Sequence, residues 1–257
     1  MLPHILVFDS GIGGTSVLSH IQQAVPNAHY SYVMDNALLP YGLQSQATII
    51  RRLTGLLAAD MPWGQTIDMI VIACNTASTQ ALAALRELTQ IPVVGVVPAI
   101  KPAAQLSQQR HIALLATPAT ISNSYTKNLI RDFAADCQVD LHHSTELVSI
   151  AERFYWLQQD VSEAVTEELA KIDIAKTVDV VVLGCTHFPI IAKQISSNLS
   201  AQCVMLDSGA AIARRVSHLL SARFAEQMQR EAGSLNFYAT KEVVGSAMKV
   251  NFITLPV

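Results

Sequence analysis

Val71-Ile72-Ala73-Cys74-Asn75-Thr76 and Val182-Leu183-Gly184-Cys185-Thr186-His187 carry one pattern twice. Each is a β-branched run, a small residue, a cysteine, then polar residues opening a helix. Short apolar runs of this kind read as strands buried on both faces. A second echo pairs Asp9-Ser10-Gly11 with Asp207-Ser208-Gly209. Two copies of a strand–Cys–helix unit predict two similar lobes with cysteines in equivalent places.

The same alternation runs outward from these units. Ile5–Phe8, Tyr30–Met34, Ile67–Ala73, Val93–Val97, Ile112–Ala116, Val139–His142, Val178–Gly184 and Cys203–Leu206 read as strands. Ser16–Ala24, Gln46–Ala59, Ser78–Leu88, Ser122–Ala135, Ser162–Lys171 and Ala210–Ala222 read as helices. The predicted class is therefore α/β, with mostly parallel sheets flanked by helices and ligands at the carboxyl ends of the strands. Breaks fall at Val96-Val97-Pro98-Ala99 and at Leu206-Asp207-Ser208-Gly209, while Gly233–Val257 has mixed character.

Composition narrows the function classes. The 257 residues are 51% apolar and 14% charged, which suits a well-buried globular protein. A net charge of −3 without long runs of one sign predicts no nucleic-acid or membrane partner. Met69–Cys74 and Val178–Leu183 are six residues long, whereas a membrane helix needs about 20. The amino terminus lacks the pattern of a signal peptide, so a cytoplasmic protein is expected. Cys74, Cys137, Cys185 and Cys203 are widely spaced, which argues for free thiols.

Cys74 and Cys185 are placed where a strand ends and a helix begins. A helix N-terminus offers unpaired N–H groups and a partial positive charge, and both favour a thiolate. Two buried structural cysteines are the alternative, which the matched contexts disfavour. Asn75, Thr76, Thr186 and His187 are short polar groups suited to holding a carboxylate, although Asn75 and Thr186 also suit helix capping. His187, two residues after Cys185, is suited to poising that thiol.

Phe8–Gly14 invites a phosphate-loop reading, but Ser16 stands where G-x-G-x-x-G needs glycine and no Gly-Lys-Ser/Thr follows. A tight turn that lets Asp9 and Ser10 reach a site fits better. Pro40-Tyr41-Gly42 forms another turn, whose Tyr41 hydroxyl and Gly42 N–H suit a second carboxylate. Zinc is disfavoured because Cys185 and His187 are the one close pair of ligands. No lysine sits in a strand-end motif, as a Schiff-base cofactor would need. The expectation is therefore a small-molecule substrate with neither cofactor nor metal.

These residues together resemble glutamate racemase, in the aspartate/glutamate racemase superfamily. The resemblance is carried by Phe8–Gly14, Met34–Gly42, Ala73–Thr79, Gly95–Pro98, Thr117–Tyr125, Glu146–Glu152, Gly184–Pro189 and Leu206–Gly209, in the family's order. It implies two pseudo-symmetric lobes, residues 1–97 with 207–257 and residues 98–206, and a site between them. It also implies interconversion of L- and D-glutamate without cofactor, supply of D-glutamate for peptidoglycan, and a possible homodimer. Cys74 matches the thiol acting on D-glutamate and Cys185 the one acting on L-glutamate. Asp9 matches the carboxylate beside Cys74; His187 and Glu152 match groups beside Cys185. Ser10, Pro40, Tyr41 and Gly42 match positions around the side-chain carboxylate; Asn75, Thr76 and Thr186 match those around the α-carboxylate.

The chain departs from the family at Ser144, where a cysteine is frequent, and in the tail after Gly233. It also starts four residues before its first strand run, which argues against the N-terminal extension that accompanies activation by a cell-wall precursor in some members. Racemases of aspartate or hydantoins are the nearest alternative, disfavoured by the Asp9–Gly14 and Pro40–Gly42 segments. A non-catalytic amino-acid-binding protein is the alternative of another class, disfavoured by the paired thiols.

Overall fold

The computed structural model describes residues 2–58, 61–63, 67–224, 233–243 and 248–255. Its strands are β1 (His4–Asp9), β2 (His29–Met34), β3 (Met69–Ile72), β4 (Val93–Gly95), β5 (His111–Ala116), β6 (Gln138–His143), β7 (Val180–Gly184), β8 (Val204–Leu206), β9 (Leu235–Ala239) and β10 (Val250–Phe252). Its helices are α1 (Thr15–Ala24), α2 (Gln46–Gly55), α3 (Asn75–Leu88), α4 (Ile100–Leu106), α5 (Pro118–Ser122), α6 (Ser124–Phe133), α7 (Glu146–Leu157), α8 (Ser162–Ile172), α9 (Ala192–Ser196) and α10 (Gly209–Phe224). The strands form a six-stranded sheet in the order β10-β9-β2-β1-β3-β4 and a four-stranded sheet in the order β6-β5-β7-β8. Every ladder among the described residues is parallel.

Both sheets are covered on both faces, which explains why their strands lack alternation with polar residues. In β1, Ile5 and Val7 join a core with Val17, Leu18 and Ile21 of α1 and Val216 and Leu220 of α10. Leu6 and Phe8 point the other way, against Ile49 and Leu53 of α2 and Ala81 and Leu85 of α3. The smaller sheet repeats the scheme. Ala113 and Leu115 of β5 meet α7 and α8, while Ile112 and Leu114 meet α4.

The chain passes to the small sheet after β4 and returns after β8. There the Ser208 hydroxyl donates to the Val97 carbonyl at 2.5 Å, tying the two connections side by side. The tail then adds β9 beside β2 and β10 beside β9, which gives part of the mixed stretch after Gly233 a definite place. The rest of that stretch, 244–247 and 256–257, and the predicted helix end at Ala59 lie outside the described residues.

Three expectations change. The helix expected over Ser122–Ala135 starts at Ser124 instead, because Asn123 is extended and its side chain accepts the Tyr125 N–H, capping a fresh start after the short α5. The Thr117 side chain caps α5, with Pro118 at its first turn. Helix α3 begins at Asn75 rather than Ser78, so Asn75 and Thr76 belong to its first turn. Helices α4, α5, α7 and α9 are additional to the stretches named from the sequence.

Candidate active site

The carboxyl ends of β1, β3, β5 and β7 converge on a narrow cleft whose lining is mostly buried. Ser10, Pro40, Tyr41, Gly42, Cys74, Asn75, Thr76, Cys185, Thr186 and His187 all line it. Asp9 and Glu152 stand behind that lining, each bonded to a residue of it.

Cys74 follows β3 and precedes α3 in extended conformation, 6% exposed. Its Sγ lies 3.8 Å from Ser10 Oγ. Ser10 is there because β1 pairs with β3 in register and delivers its following loop alongside. Asp9 is fully buried. Its Oδ1 accepts the Gly11 N–H at 2.8 Å, and its Oδ2 accepts the Thr186 hydroxyl from the other lobe at 2.8 Å. Burial raises the Asp9 pKa above the usual carboxylate value, against the pull of His187, the Gly11 N–H and Thr186. Burial also raises the Cys74 thiol, with Asp9 adding to the effect and the Ala77 N–H opposing it. The expectation that the helix start makes Cys74 a ready thiolate is thus corrected: burial outweighs the helix start.

Cys185 follows β7 and is 7% exposed. No α-helix opens behind it, contrary to the sequence expectation. A 3-10 turn over Phe188–Ile191 intervenes, with Pro189 in its first positions. Its sulfur instead meets His187 Nδ1 at 3.9 Å. His187 Nε2 donates to Glu152 Oε1 at 2.8 Å. That oxygen also accepts the Ile12 N–H at 2.8 Å, and Oε2 accepts the Trp156 indole N–H at 2.7 Å. Burial alone would lower the His187 pKa, but its bonds to Cys185 and Glu152 hold it well above the usual imidazole value. Burial alone would raise Glu152, but His187, the Ile12 N–H and Trp156 hold it below the usual carboxylate range.

The two thiols therefore carry different supports: a hydroxyl and a carboxylate at Cys74, an imidazole–carboxylate pair at Cys185. The Asp207 echo of Asp9 extends only to the turn. Gly209 N–H donates to Asp207 Oδ1 at 2.7 Å, as Gly11 does to Asp9, but Asp207 is exposed and outside the cleft.

Tyr41 corrects a second expectation. Its hydroxyl donates to Asp35 Oδ2 at 2.6 Å, beside the buried Arg52, and so is committed away from the cleft. What the Pro40–Gly42 turn presents is backbone: the opening N–H groups of a 3-10 turn over Tyr41–Leu43. Asn75 Nδ2 is buried without a hydrogen-bond partner, and a buried donor left unpaired is costly. Among the described residues no Lys or Arg lines the cleft, so carboxylates entering it meet neutral donors.

Sequence reasoning missed Thr117 and Val148, which also line the cleft. Thr117 and Thr120 hydroxyls lie 2.9 and 3.2 Å from that of Thr76, joining the lobes. The signal for Thr117 was its place directly after the β5 run, the same strand-end logic that singled out the cysteines.

The first loop is packed against the opposite lobe. A Cβ added at Gly13 would sit 2.3 Å from His187 Nδ1, and one at Gly11 2.2 Å from Glu152 Oε1. Gly13→Ala should therefore displace the imidazole and lower turnover roughly 10- to 100-fold, since misplacement by about 1 Å costs on that order. Steady-state kinetics would check it; a rate within twofold of wild type would show that His187 has room to move.

Comparison with known proteins gives a consistent result. Residues 5–216 match the family model described as Asp/Glu/Hydantoin racemase. The glutamate racemase of Shewanella denitrificans is 50% identical over 216 residues, covering 84% of this chain and 77% of that protein. That of Shewanella woodyi is 47% identical over 248 residues, covering 95% and 92%. Escherichia coli glutamate racemase, solved with L-glutamate and the activator UDP-MurNAc-ala, superposes with a TM-score of 0.88 at 37% identity over 100% of both chains. The Francisella tularensis enzyme, solved with D-glutamate, gives 0.78 at 26% identity over 98% and 97%.

Proposed function

Because this chain belongs to the Asp/Glu/Hydantoin racemase family, we propose that it is a glutamate racemase, an isomerase interconverting L- and D-glutamate with two thiols. The observation that carries this reading is the pair of free, buried thiols at the ends of strands in different sheets, lining one cleft. Racemisation breaks a C–H bond on one face of Cα and makes one on the other. A single fixed base tends to return the proton where it found it. Two acid–bases across the carbon solve this, one starting as thiolate and the other as thiol.

Cys185 takes the α-proton from L-glutamate while Cys74 delivers one, and the roles reverse from D-glutamate. His187, held by Glu152, supports the Cys185 side, and Asp9 with Ser10 supports the Cys74 side. Asn75, Thr76 and Thr186 hold the α-carboxylate, the unpaired Asn75 amide being the best placed. Ser10 and the backbone of Pro40–Gly42 hold the distal carboxylate. Neutral donors aimed at the α-carboxylate stabilise the carbanion as charge moves onto it, and exclusion of water strengthens them.

Solvent deuterium exchange at Cα, run from each enantiomer, tests the reading. Product should carry solvent deuterium in both directions, and each direction should respond to a different cysteine. Racemisation with full retention of the substrate's α-hydrogen would sink the two-base scheme. Aspartate and hydantoins, run alongside, should be poor substrates.

We further assign residues 1–97 with 207–257 to one lobe and 98–206 to the other. The free state of the four cysteines supports a cytoplasmic setting, in which D-glutamate would feed peptidoglycan synthesis. Among the described residues no helix is long and apolar enough to cross a membrane. A homodimer is compatible with this reading.

A further inference from the structure

The Cys185 support contains a member that its chemistry does not itself require. Trp156 lies one turn after Glu152 on α7, and its indole N–H donates to Glu152 Oε2 at 2.7 Å. The opposite oxygen, Oε1, takes the Ile12 N–H and His187. The carboxylate is thus held at both ends, and its orientation sets where the imidazole stands beside the sulfur. The indole is itself fixed by the opposite lobe. Trp156 and its neighbour Tyr155, rings edge to face at 5.1 Å, pack against the core that contains Ile12, Tyr32 and Val17. Tyr32 in turn donates its hydroxyl to the Gly11 carbonyl at 2.8 Å, in the same loop that supplies the Ile12 N–H.

We propose that Trp156 is a positioning residue for the Cys185 half-reaction: packed against the first lobe's core, its N–H orients Glu152 and, through it, His187. The proposal rests on the racemase reading above. The charged and titratable groups facing Glu152 are His187, Asp9, Tyr32 and Tyr155. Of these, only His187 is hydrogen-bonded to it, so the indole has no charged competitor for Oε2.

The two proton transfers occur in series, which supplies a readout that a general loss of packing does not move. Weakening the Cys185 side makes the C–H cleavage of L-glutamate the slower transfer. Trp156→Phe keeps an aromatic ring and removes the donor. Turnover should fall about 10-fold, less than the 10²–10⁴-fold that a missing acid–base group costs. The isotope effect on kcat/KM should rise with α-deuterated L-glutamate and fall with α-deuterated D-glutamate. Glu152→Gln should shift the two effects in the same sense. If Trp156→Phe fails to fold, benzothienylalanine at position 156 replaces the N–H by sulfur at nearly the same volume and should give the same partition. A loss of rate with both isotope effects unchanged, or a rate within twofold of wild type, overturns the proposal. Near-normal racemisation by Cys185→Ala would instead overturn the racemase reading on which it stands, so the two failures are distinct.

Discussion

Cys74→Ala and Cys185→Ala should each abolish racemisation, with kcat/KM falling by about 10⁴-fold or more, the upper range for a missing acid–base group. The loss should be near total for either change because each direction uses both thiols, one to remove a proton and the other to give one. A glutamate analogue with a leaving group on Cβ separates the two roles. Elimination needs only the first proton transfer, so each variant should still eliminate from one enantiomeric series. Cys185→Ala should act on the D series through Cys74, and Cys74→Ala on the L series through Cys185. Circular dichroism follows the racemisation and halide release the elimination. Near-wild-type racemisation by either variant would falsify the two-base reading; elimination by Cys185→Ala in the L series and by Cys74→Ala in the D series would reverse the assignment of hands. Neither substitution should unfold the protein, since each thiol sits where a core cluster meets the cleft and the change removes only one sulfur atom.

The second large effect is on stability and substrate affinity together. Arg52 grips Asp35 with two hydrogen bonds, 2.8 Å from Nε and 2.5 Å from Nη2, and Asp35 is fully buried. Tyr41 and Thr240 donate to the same carboxylate at 2.6 and 2.7 Å, and Arg52 Nη1 donates to the Leu255 carbonyl at 2.7 Å. One ion pair thus joins α2, the Pro40–Gly42 turn and the carboxyl-terminal tail. Arg52→Ala strands a buried carboxylate, which costs about 3–5 kcal/mol, whereas replacing both partners by apolar groups of similar size is far less harmful. Urea unfolding should show that loss for Arg52→Ala, and Arg52→Met with Asp35→Leu should recover much of it. KM for glutamate should rise in the single variant, because the turn that presents the Tyr41 and Gly42 backbone loses its anchor. A destabilisation below about 1 kcal/mol would mean that the pair is solvated or replaceable.

Both results bear on how much of the protein could be read from its chain. The strand–Cys–polar unit at Cys74 and Cys185 determined the α/β class, the two-lobed plan and the reactive pair, because parallel strands buried on both faces must be written as short apolar runs. The same local logic found Asp9, Ser10, Asn75, Thr76, Thr186 and His187, all within four residues of a strand end.

Local pattern was silent wherever a residue acts across the lobes. Thr186 braces Asp9 from 177 positions away, and Ile12 reaches Glu152 across 140. Thr120 and Trp156 gain their roles from packing that no spacing encodes. Local pattern also misjudged direction. Tyr41 read as a hydroxyl for the substrate, yet a buried carboxylate and guanidinium claim it. Cys74 read as a thiol eased toward ionisation by a helix start, yet burial outweighs that partial charge. The sequence by itself determined which residues stand at the strand ends, since that follows from neighbours along the chain. Only the tertiary structure decided which of them face one another and how deeply each is buried, because desolvation and cross-lobe hydrogen bonds exist only once the two sheets have closed together.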